Sequence, residues 1–235
     1  MMSSVNSLDI LVFGAHPDDA EIGMGGTIAK HSRAGYKIGI CDLTFAEMSS
    51  NGDIETRKLE AARASEILGL AARTNLGLPD RGLRAEAAVI ERITNEIRKF
   101  RPRIVFAPYW QDRHPDHVAC SHLVQEAIFN AKLRRYIPDT TAHTVEQNYF
   151  YFINDVYEAG LIVDVTGCYE QKRQALKAYG TQFEAAAAGN DFVTTPINQG
   201  YLERVEMRDR LLGQKRSMEF AEGFVTKLPY PVGIF

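Results

Sequence analysis

The stretch LDILVFGAHPDDAEIGMGG, from Leu8 to Gly26, decides the fold class of this chain. Its first half is a continuous apolar run that ends in Gly14, which is the pattern of a strand buried on both faces of a parallel sheet. A histidine, a proline and two adjacent aspartates follow, and residues 21–35 then predict a helix with Gly35 just beyond its last turn. The buried strand therefore ends in polar side chains at its carboxyl end.

Outward from this stretch, buried strands and amphipathic helices alternate along the chain. Further strands are predicted at 36–44, 73–78, 103–108, 149–153 and 161–165, and further helices at 55–69, 86–100, 114–133, 169–183 and 200–220. In the second helix we expect the buried stripe to carry Leu59, Ala62, Ile67 and Leu70. The alternation predicts an α/β fold, with a mainly parallel sheet between two layers of helices, as one domain over residues 1–235.

The charge of the chain argues against a nucleic-acid partner. A length of 235 residues with 45% hydrophobic side chains suits a single core. The formal net charge is -3, whereas nucleic-acid binding needs a concentrated basic face. The densest basic stretch, RKFRPR at 98–103, is interpreted as a solvated helix end, with a phosphate or RNA contact as the alternative.

Cysteine usage and hydropathy indicate a cytoplasmic protein. Cys41, Cys120 and Cys168 form no CxxC pair, which fits a reducing compartment and three small core residues. The polar start MMSSVNS lacks the basic region of a signal peptide. No stretch approaches the roughly 18 apolar residues of a membrane span, so we expect no membrane partner.

Two polar segments, AHPDD and DRHPDH, each follow a predicted buried strand. Because ligands of open parallel sheets bind beyond the carboxyl ends of the strands, both segments could face one cleft. His16, Asp19 and His117 would form a set of three ligands that leaves one position of a Zn²⁺ ion open, as in catalytic rather than structural sites. Zinc at such a site lowers the pKa of a bound water from about 15.7 to near 7.

The remaining polar residues of these segments suit acid–base roles. Asp18 is a candidate general base, and His114 can reach over the metal as a general acid. Asp116 could fix the tautomer of His114 or of another imidazole. The alternatives are structural: His-Pro-Asp is common in turns, and HPDH could simply begin a helix with Asp116 near the helix dipole.

The motifs GAHPDDAEIG and DRHPDH resemble those of the PIG-L/LmbE-like zinc deacetylases. This resemblance implies a Rossmann-like fold and hydrolysis of N-acetyl groups on amino sugars, with one Zn²⁺ per chain or another divalent transition metal in its place. The segments MSSNGDIETRKLEA, NLGLPDRGL, FAPYWQDRHPDH and AEGF are similar to the bacillithiol-biosynthesis branch. That branch implies N-acetylglucosaminyl-L-malate as the substrate.

Carried over by position, the family's site residues match the roles given above. The metal ligands fall on His16, Asp19 and His117, and the general base falls on Asp18. The acid or oxyanion stabiliser falls on His114, with Asp116 behind it. Some relatives place a tyrosine two residues before the second motif, where this chain has Asp112, so that another group must supply the tyrosine's contact.

Two arginines are candidate contacts for the malyl carboxylate. The resemblance implies that Arg57 contacts the sugar or, through a two-point hydrogen bond, the carboxylate at the mouth of the site; the alternative is a surface arginine paired with Glu60 or Glu55. Arg113 could serve the same end, or pair with a neighbouring aspartate of its own motif. The resemblance also places Tyr201 near the pocket, where an ordinary aromatic residue at a helix start is the alternative.

Several further residues are weaker candidates. Glu222 in AEGF would touch sugar hydroxyls or be a plain surface acid, and Asp80 and Arg81 would shape a turn or line the site. Glu47 and Ser50 could line the pocket. The glycines of GMGG lack the spacing of a phosphate loop and favour close packing of a helix on a strand.

The sequence is also compatible with other functions, and the family resemblance bears on the assembly. The first rival is a deacetylase or amidase acting on a mycothiol-type conjugate, on free N-acetylglucosamine or on its oligomers. The second is a non-catalytic nucleotide-binding module without zinc. The family resemblance implies a homo-oligomer, either a trimer or a hexamer. Residues 184–196 are a candidate surface loop or a lid whose motion would extend to residue 201.

Overall fold

The described residues form one seven-stranded sheet with the order β3-β2-β1-β4-β5-β7-β6. The computed structural model describes residues 7–184 and 192–229. The strands are β1 (Ile10–Gly14), β2 (Ile38–Thr44), β3 (Ala72–Leu78), β4 (Ile104–Pro108), β5 (Gln147–Tyr151), β6 (Leu161–Asp164) and β7 (Ala221–Val225). Strands β1 to β5 are parallel, and β7 is antiparallel to both of its neighbours.

Seven helices and one 3₁₀ turn connect these strands within the described residues. The helices are α1 (Asp19–Arg33), α2 (Ile54–Leu68), α3 (Ala87–Phe100), α4 (Pro115–Ala131), α5 (Tyr169–Lys177), α6 (Gly180–Phe183) and α7 (Tyr201–Gln214), and the 3₁₀ turn is Thr166–Cys168. Gly35, with φ 89°, follows the end of α1 as predicted. No helix in the described ranges has the length and apolar character needed to cross a membrane.

Two hydrophobic cores lie on opposite faces of the sheet. Along β1, Ile10 and Val12 point into one core, whereas Leu11 and Phe13 point into the other. Helices α1, α2, α5 and α7 cover the first face, and α3 and α4 cover the second. This arrangement confirms the predicted α/β class with helices on both faces of a mainly parallel sheet.

Helix α1 packs unusually close to the sheet at its glycines. A methyl group on Gly23 would overlap the ring of Tyr151 on β5, and one on Gly26 would lie 2.8 Å from Val165. Met24, between them, has the non-helical angles φ -150° and ψ 24°, so the helix is kinked there. The interpretation of GMGG as a packing motif is therefore confirmed.

The predicted buried stripe of α2 is only partly correct. Ile67 and Leu70 pack against the core, but Leu59 is 62% exposed, and the buried face also carries Arg57 and Glu60. The pattern misled because α2 borders a polar cleft, so two charged side chains occupy the buried face there.

The predicted boundaries also differ toward the carboxyl end of the chain. The helix predicted at 200–220 ends at Gln214, where the chain turns back and the Met218 N–H donates to the Gly213 carbonyl. The segment 221–225 is a strand that the pattern did not indicate, because a buried glutamate and a glycine interrupt its apolar run. The predicted helix 169–183 is two helices, α5 and α6.

The basic stretch at 98–103 is only partly solvated. Arg98 is 4% exposed, and its guanidinium donates to five carbonyl oxygens around the end of α4, those of Asn130, Ala131, Leu133, Ile137 and Thr140. These carbonyls include ones that the helix end leaves without an intrahelical partner. For Arg98 the interpretation as a solvated residue is therefore wrong, because it caps a neighbouring helix.

A fully buried charged cluster ties β7 to the helices of the first face. Lys172 of α5 donates to Asp209 of α7 at 2.6 Å and to Glu222 of β7 at 2.7 Å. Glu222 also accepts the backbone N–H groups of Gly26 and Thr27, at 2.9 and 2.6 Å, just beyond the kink of α1. The described partners of Glu222 thus all belong to the interior of the fold.

Two predictions remain, one on the cysteines and one on the loop at 184–196. The three cysteines are free and buried, as expected of small core residues. Of the candidate loop or lid at 184–196, residues 185–191 lie outside the described residues.

Candidate metal-binding active site

The two histidine motifs meet at the point where the strand order reverses. Strand β1 pairs with β2 on one side and with β4 on the other. His16 to Asp19 follow β1, and His114 to His117 follow β4, so both motifs lie at the carboxyl ends of adjacent parallel strands. Crevices at such switch points are the usual ligand sites of open α/β sheets.

Asp18 begins α1 in a strained conformation. Its backbone angles are φ 115° and ψ -24°, in the left-handed region that residues with a side chain seldom adopt. Backbone strain of this kind costs about 1–3 kcal/mol and concentrates at functional sites. The unusual turn lets the adjacent carboxylates of Asp18 and Asp19 serve different partners.

The side chain of Asp19 lies between the two candidate ligand imidazoles. Its Oδ1 is 3.0 Å from Nε2 of His117, and its Oδ2 is 3.5 Å from Nδ1 of His16. The Oδ2 atom also accepts the backbone N–H of His16 at 2.9 Å. The structure thus brings together the three residues predicted to bind the metal, with one ring nitrogen of each histidine turned toward the same carboxylate.

Carboxylates hold the far nitrogens of both imidazoles. Nδ1 of His117 is 3.0 Å from Oδ1 of Asp112. Nε2 of His16 is 3.3 Å from Oδ1 of Asp80 and 3.6 Å from Oδ2 of Asp116. Histidines that bind metals usually donate their other N–H to such a partner, which leaves the inner nitrogen with a free lone pair. The donor set therefore fits a divalent cation at His16, Asp19 and His117.

His114 lies beside this set but differs from the other two histidines. Ring nitrogens of His16, His114 and His117 all lie within 4.8 Å of one another, so three imidazoles are an alternative donor set. However, Nδ1 of His114 accepts the backbone N–H of Asp116 at 3.2 Å. Neutral His114 therefore carries its proton on Nε2, which can donate a hydrogen bond but has no lone pair for a metal.

The electrostatics of the cluster attract positive charge. Burial alone would lower the pKa of His117, but the carboxylates of Asp19 and Asp112 raise it to about 9. Burial would raise the pKa of Asp19, yet the charge and hydrogen bond of His117 hold it well below its usual range. A divalent cation at these atoms would satisfy the same carboxylates in place of the protons.

Asp18 and His114 have pKa values that suit proton transfer. Burial raises the pKa of the Asp18 carboxyl to about 7, although the neighbouring Arg57 guanidinium lowers it. Burial and the nearby His117 and His16 lower the pKa of His114. A base with a pKa near neutrality and a neutral imidazole donor are the groups that amide hydrolysis requires.

Arg57 is buried in the wall of the site rather than exposed on the surface. It is 5% exposed, and its Nη1 donates to Oδ2 of Asp18 at 3.0 Å and to the Pro17 carbonyl at 2.8 Å. It lines the cleft, and its Nε lies 3.9 Å from Oε2 of Glu60, one of the two partners that the alternative interpretation named. Arg57 therefore orients the candidate base, and its contact with substrate stays a prediction.

Two further predictions require correction. The carboxylate of Asp116 faces His16 and accepts from the backbone N–H of Arg81 at 2.8 Å, so it faces the other imidazole and does not lie behind His114. The backbone N–H of Asp116 donates to Nδ1 of the His114 ring. Glu222 is 1% exposed and its partners are internal, so it makes no sugar contact at the cleft.

A cleft of about 210 Å³ lies over this cluster. Its wall includes Tyr201, whose hydroxyl donates to Oδ1 of Asn154 at 3.2 Å. Arg113 also lines the cleft, and in the described part of the chain its side chain forms no hydrogen bond or ion pair. The remaining lining residues that matter here are Asp18, Arg57, Asp80, Arg81, His114 and Ile153.

Sequence reasoning missed the roles of Asp112 and Asn154, whereas Asp80, predicted to shape a turn or line the site, lines the cleft. Asp80 follows β3 and Asn154 follows β5, so each is a polar residue beyond the carboxyl end of a parallel strand. The rule that identified the two histidine motifs could have found these residues as well. Asp112 stands where some relatives have a tyrosine, and its contact with His117 depends on the fold rather than on the motif.

Comparison with known proteins identifies the family. Residues 11–128 match the family model described as PIG-L: GlcNAc-PI de-N-acetylase. Diacetylchitobiose deacetylase from Thermococcus kodakarensis is 31% identical over 189 residues, which cover 74% of this chain and 70% of that protein. The chain belongs to the PIG-L family, and the predicted resemblance and the class of enzyme, a deacetylase, are confirmed.

Two other proteins are similar over most of their length. The probable N-acetyl-alpha-D-glucosaminyl L-malate deacetylase 2 from Bacillus subtilis is 29% identical over 191 residues, covering 74% of this chain and 83% of that protein. The crystal structure of the conserved protein TT1542 from Thermus thermophilus superposes with a TM-score of 0.88 at 37% identity, covering 96% of this chain and 97% of the other.

Proposed function

We propose that this protein removes the N-acetyl group from an N-acetylglucosaminyl conjugate, with N-acetylglucosaminyl-L-malate as its substrate. The observation that supports it most directly is the pairing of a buried base, Asp18, with the set of His16, Asp19 and His117 in one cleft. The similarity to deacetylases that act on chitobiose and on glucosaminyl malate supports the substrate class.

A divalent cation such as Zn²⁺, bound by His16, Asp19 and His117, would polarise the acetamide carbonyl and lower the pKa of a water to near 7. Asp18 takes the proton of the attacking water, and Arg57 holds its carboxylate in place. The Nε2–H of His114 donates to the oxyanion as the carbonyl carbon becomes tetrahedral. Asp18 then returns its proton to the amine, so that acetate and the free amino sugar leave.

The malyl group is favoured by an unpaired cation at the rim of the cleft. Asp112 and Asp116, which could have neutralised Arg113, are bound to His117 and to Arg81 instead. A planar guanidinium free of partners in the described structure matches a carboxylate through two parallel hydrogen bonds. A substrate with an acid on the aglycone uses this cation, whereas a neutral sugar does not.

Replacing Arg113 with alanine is expected to raise KM for the malyl conjugate about tenfold, the lower end for a hydrogen bond to a charged group. The kcat value should stay nearly unchanged, because Arg113 lies outside the proton-transfer groups. Steady-state kinetics on the malyl conjugate and on free N-acetylglucosamine measure this. The neutral sugar serves as the control, and an equal rise in KM for both substrates would contradict the assignment.

The proposed function itself is tested by acetate release from purified protein. We expect the highest kcat/KM with the malyl conjugate, lower values with N,N′-diacetylchitobiose and an inositol conjugate, and loss of activity on chelation that added Zn²⁺ restores. A preference for another conjugate would refute the malyl substrate. Absence of acetate release from every conjugate would refute deacetylation. A cytoplasmic location and a homo-oligomer stay predictions, the latter tested by light scattering.

A further inference from the structure

Asp112 is the single carboxylate that holds the far nitrogen of His117 within the described chain. Its Oδ1 accepts from His117 Nδ1 at 3.0 Å and from the His114 backbone N–H at 2.7 Å. The side chain of Asp112 is 5% exposed, so protein groups rather than bulk water determine its orientation. His16 differs, because two carboxylates, those of Asp80 and Asp116, face its far nitrogen.

Asn154, in the segment that follows β5, contacts Asp112. Its Nδ2 donates to Oδ1 of Asp112 at 2.8 Å, and its backbone N–H donates to Oδ2 at 3.3 Å. The same Nδ2 lies 3.5 Å from Nδ1 of His117, so the amide group abuts the ring that Asp112 orients. Both oxygens of this carboxylate therefore bind a residue that lies 42 positions away in the sequence.

The Asp112 carboxylate determines the orientation of the Asn154 amide. Asp112 accepts hydrogen bonds only, so the nitrogen of the amide must face it. The hydroxyl of Tyr201, at the start of α7, then donates to the amide oxygen at 3.2 Å. Flipping the amide would place its oxygen against the Asp112 carboxylate and lose the 2.8 Å hydrogen bond between them.

We propose that Asn154 is a positioning residue for the deacetylation reaction. Its amide holds Asp112 against His117 Nδ1, so that the proton of this imidazole stays on Nδ1 and the lone pair of Nε2 points toward Asp19. This inference rests on the proposed function, since it takes His117 as a metal ligand. It adds a residue that lines the cleft and acts on the cation through Asp112 and His117.

The proposal predicts that losing a carboxylate partner affects metal binding more at His117 than at His16. Loss of one carboxylate at His16 leaves the other facing the same nitrogen, whereas His117 depends on Asp112 alone. Removing a partner of a metal ligand typically costs about 10- to 100-fold in metal affinity. We therefore expect Asn154→Ala to weaken Zn²⁺ binding about tenfold, and more than Asp80→Asn does.

The test is a double-mutant cycle read out by Zn²⁺ affinity. Zinc is removed from the wild type, Asn154→Ala, Asp112→Ala and the double variant, and the dissociation constant of each is measured by competition with a chromophoric chelator. If Asn154 acts through Asp112, its substitution should weaken binding about tenfold in the wild type but less than twofold when Asp112 is already alanine. Thermal unfolding of the metal-free proteins shows that each variant is folded.

A second variant covers the case in which Asn154→Ala does not fold. Asn154→Asp keeps the size of the side chain but turns its donor into an oxygen that repels Asp112, so a larger loss of Zn²⁺ affinity is expected. Unchanged affinity in the single variants, or the same loss in both backgrounds of the cycle, would overturn the role of Asn154 while leaving deacetylation intact. Failure of the wild-type protein to bind Zn²⁺ would overturn this role together with the proposed function.

Discussion

Replacing Asp18 with asparagine is expected to lower kcat by about 10²- to 10⁴-fold, the usual loss when a general base is removed. Asparagine has nearly the same shape and tolerates the left-handed backbone that this position requires, with φ 115°. It can still accept the hydrogen bond of Arg57, but it cannot take a proton from water. The fold and the entry of substrate should therefore be preserved while the chemical step is lost.

The measurement pairs the rate of acetate release with the zinc content of the same sample. Because the ligands are expected to be His16, Asp19 and His117, the Asp18→Asn variant should bind one Zn²⁺ per chain. Asp53→Asn is the matched control, since Asp53 caps the start of α2 and asparagine caps helices equally well. Full activity of Asp18→Asn with zinc bound would show that another group is the base.

The rate of the wild-type enzyme should also depend on pH through the ionisation of Asp18. The base works only when it is ionised, and burial raises the pKa of Asp18 to about 7. The rate should therefore fall as the pH drops below this value. A cation beside the carboxylate favours ionisation, so the midpoint of this acidic limb should lie no higher than about 7.

Replacing Lys172 with methionine is expected to lower the free energy of unfolding by about 3–5 kcal/mol, the cost of leaving a buried charge without its partner. The lysine is fully buried, and its loss leaves the carboxylates of Asp209 and Glu222 with less compensating charge. Methionine fills most of the same volume, so the effect reports the charge rather than a cavity.

Urea unfolding followed by circular dichroism measures this loss, with Arg173→Met as the control. Arg173 is the next residue of α5 and also pairs with two acids, Glu170 and Glu206, but its side chain is 36% exposed. Surface ion pairs contribute about 0–1 kcal/mol, so the control should change stability by no more than that. Equal effects of the two substitutions would show that the buried cluster is not a major source of stability.

The part of the site that sequence reasoning predicted correctly is the part that is local. His16 and Asp19 are three residues apart, His114 and His117 likewise, and each pair directly follows a recognisable buried strand. The rule that ligands gather at the carboxyl ends of parallel strands then sufficed to bring the two pairs together. The fold followed in the same way from the alternation of strands and helices.

The part that could not be predicted depends on which distant residues become neighbours. Whether Asp116 faces His114 or His16 is decided by the packing of α4 against the loop that carries Arg81. Charged residues usually lie on the surface, so the residue type alone predicts that Arg57 and Glu222 are exposed, whereas both are buried. Their partners come from other elements of the fold.

The position of β7 has a consequence for how the polypeptide matures during synthesis. This strand is the last of the seven in sequence, yet it inserts between β5 and β6, and its Glu222 reaches back to the N–H groups of Gly26 and Thr27. Because β6 pairs with β7 alone in the described sheet, the sheet cannot be completed until residues 221–225 have been synthesised, and the two N–H groups of α1 lack this carboxylate until then.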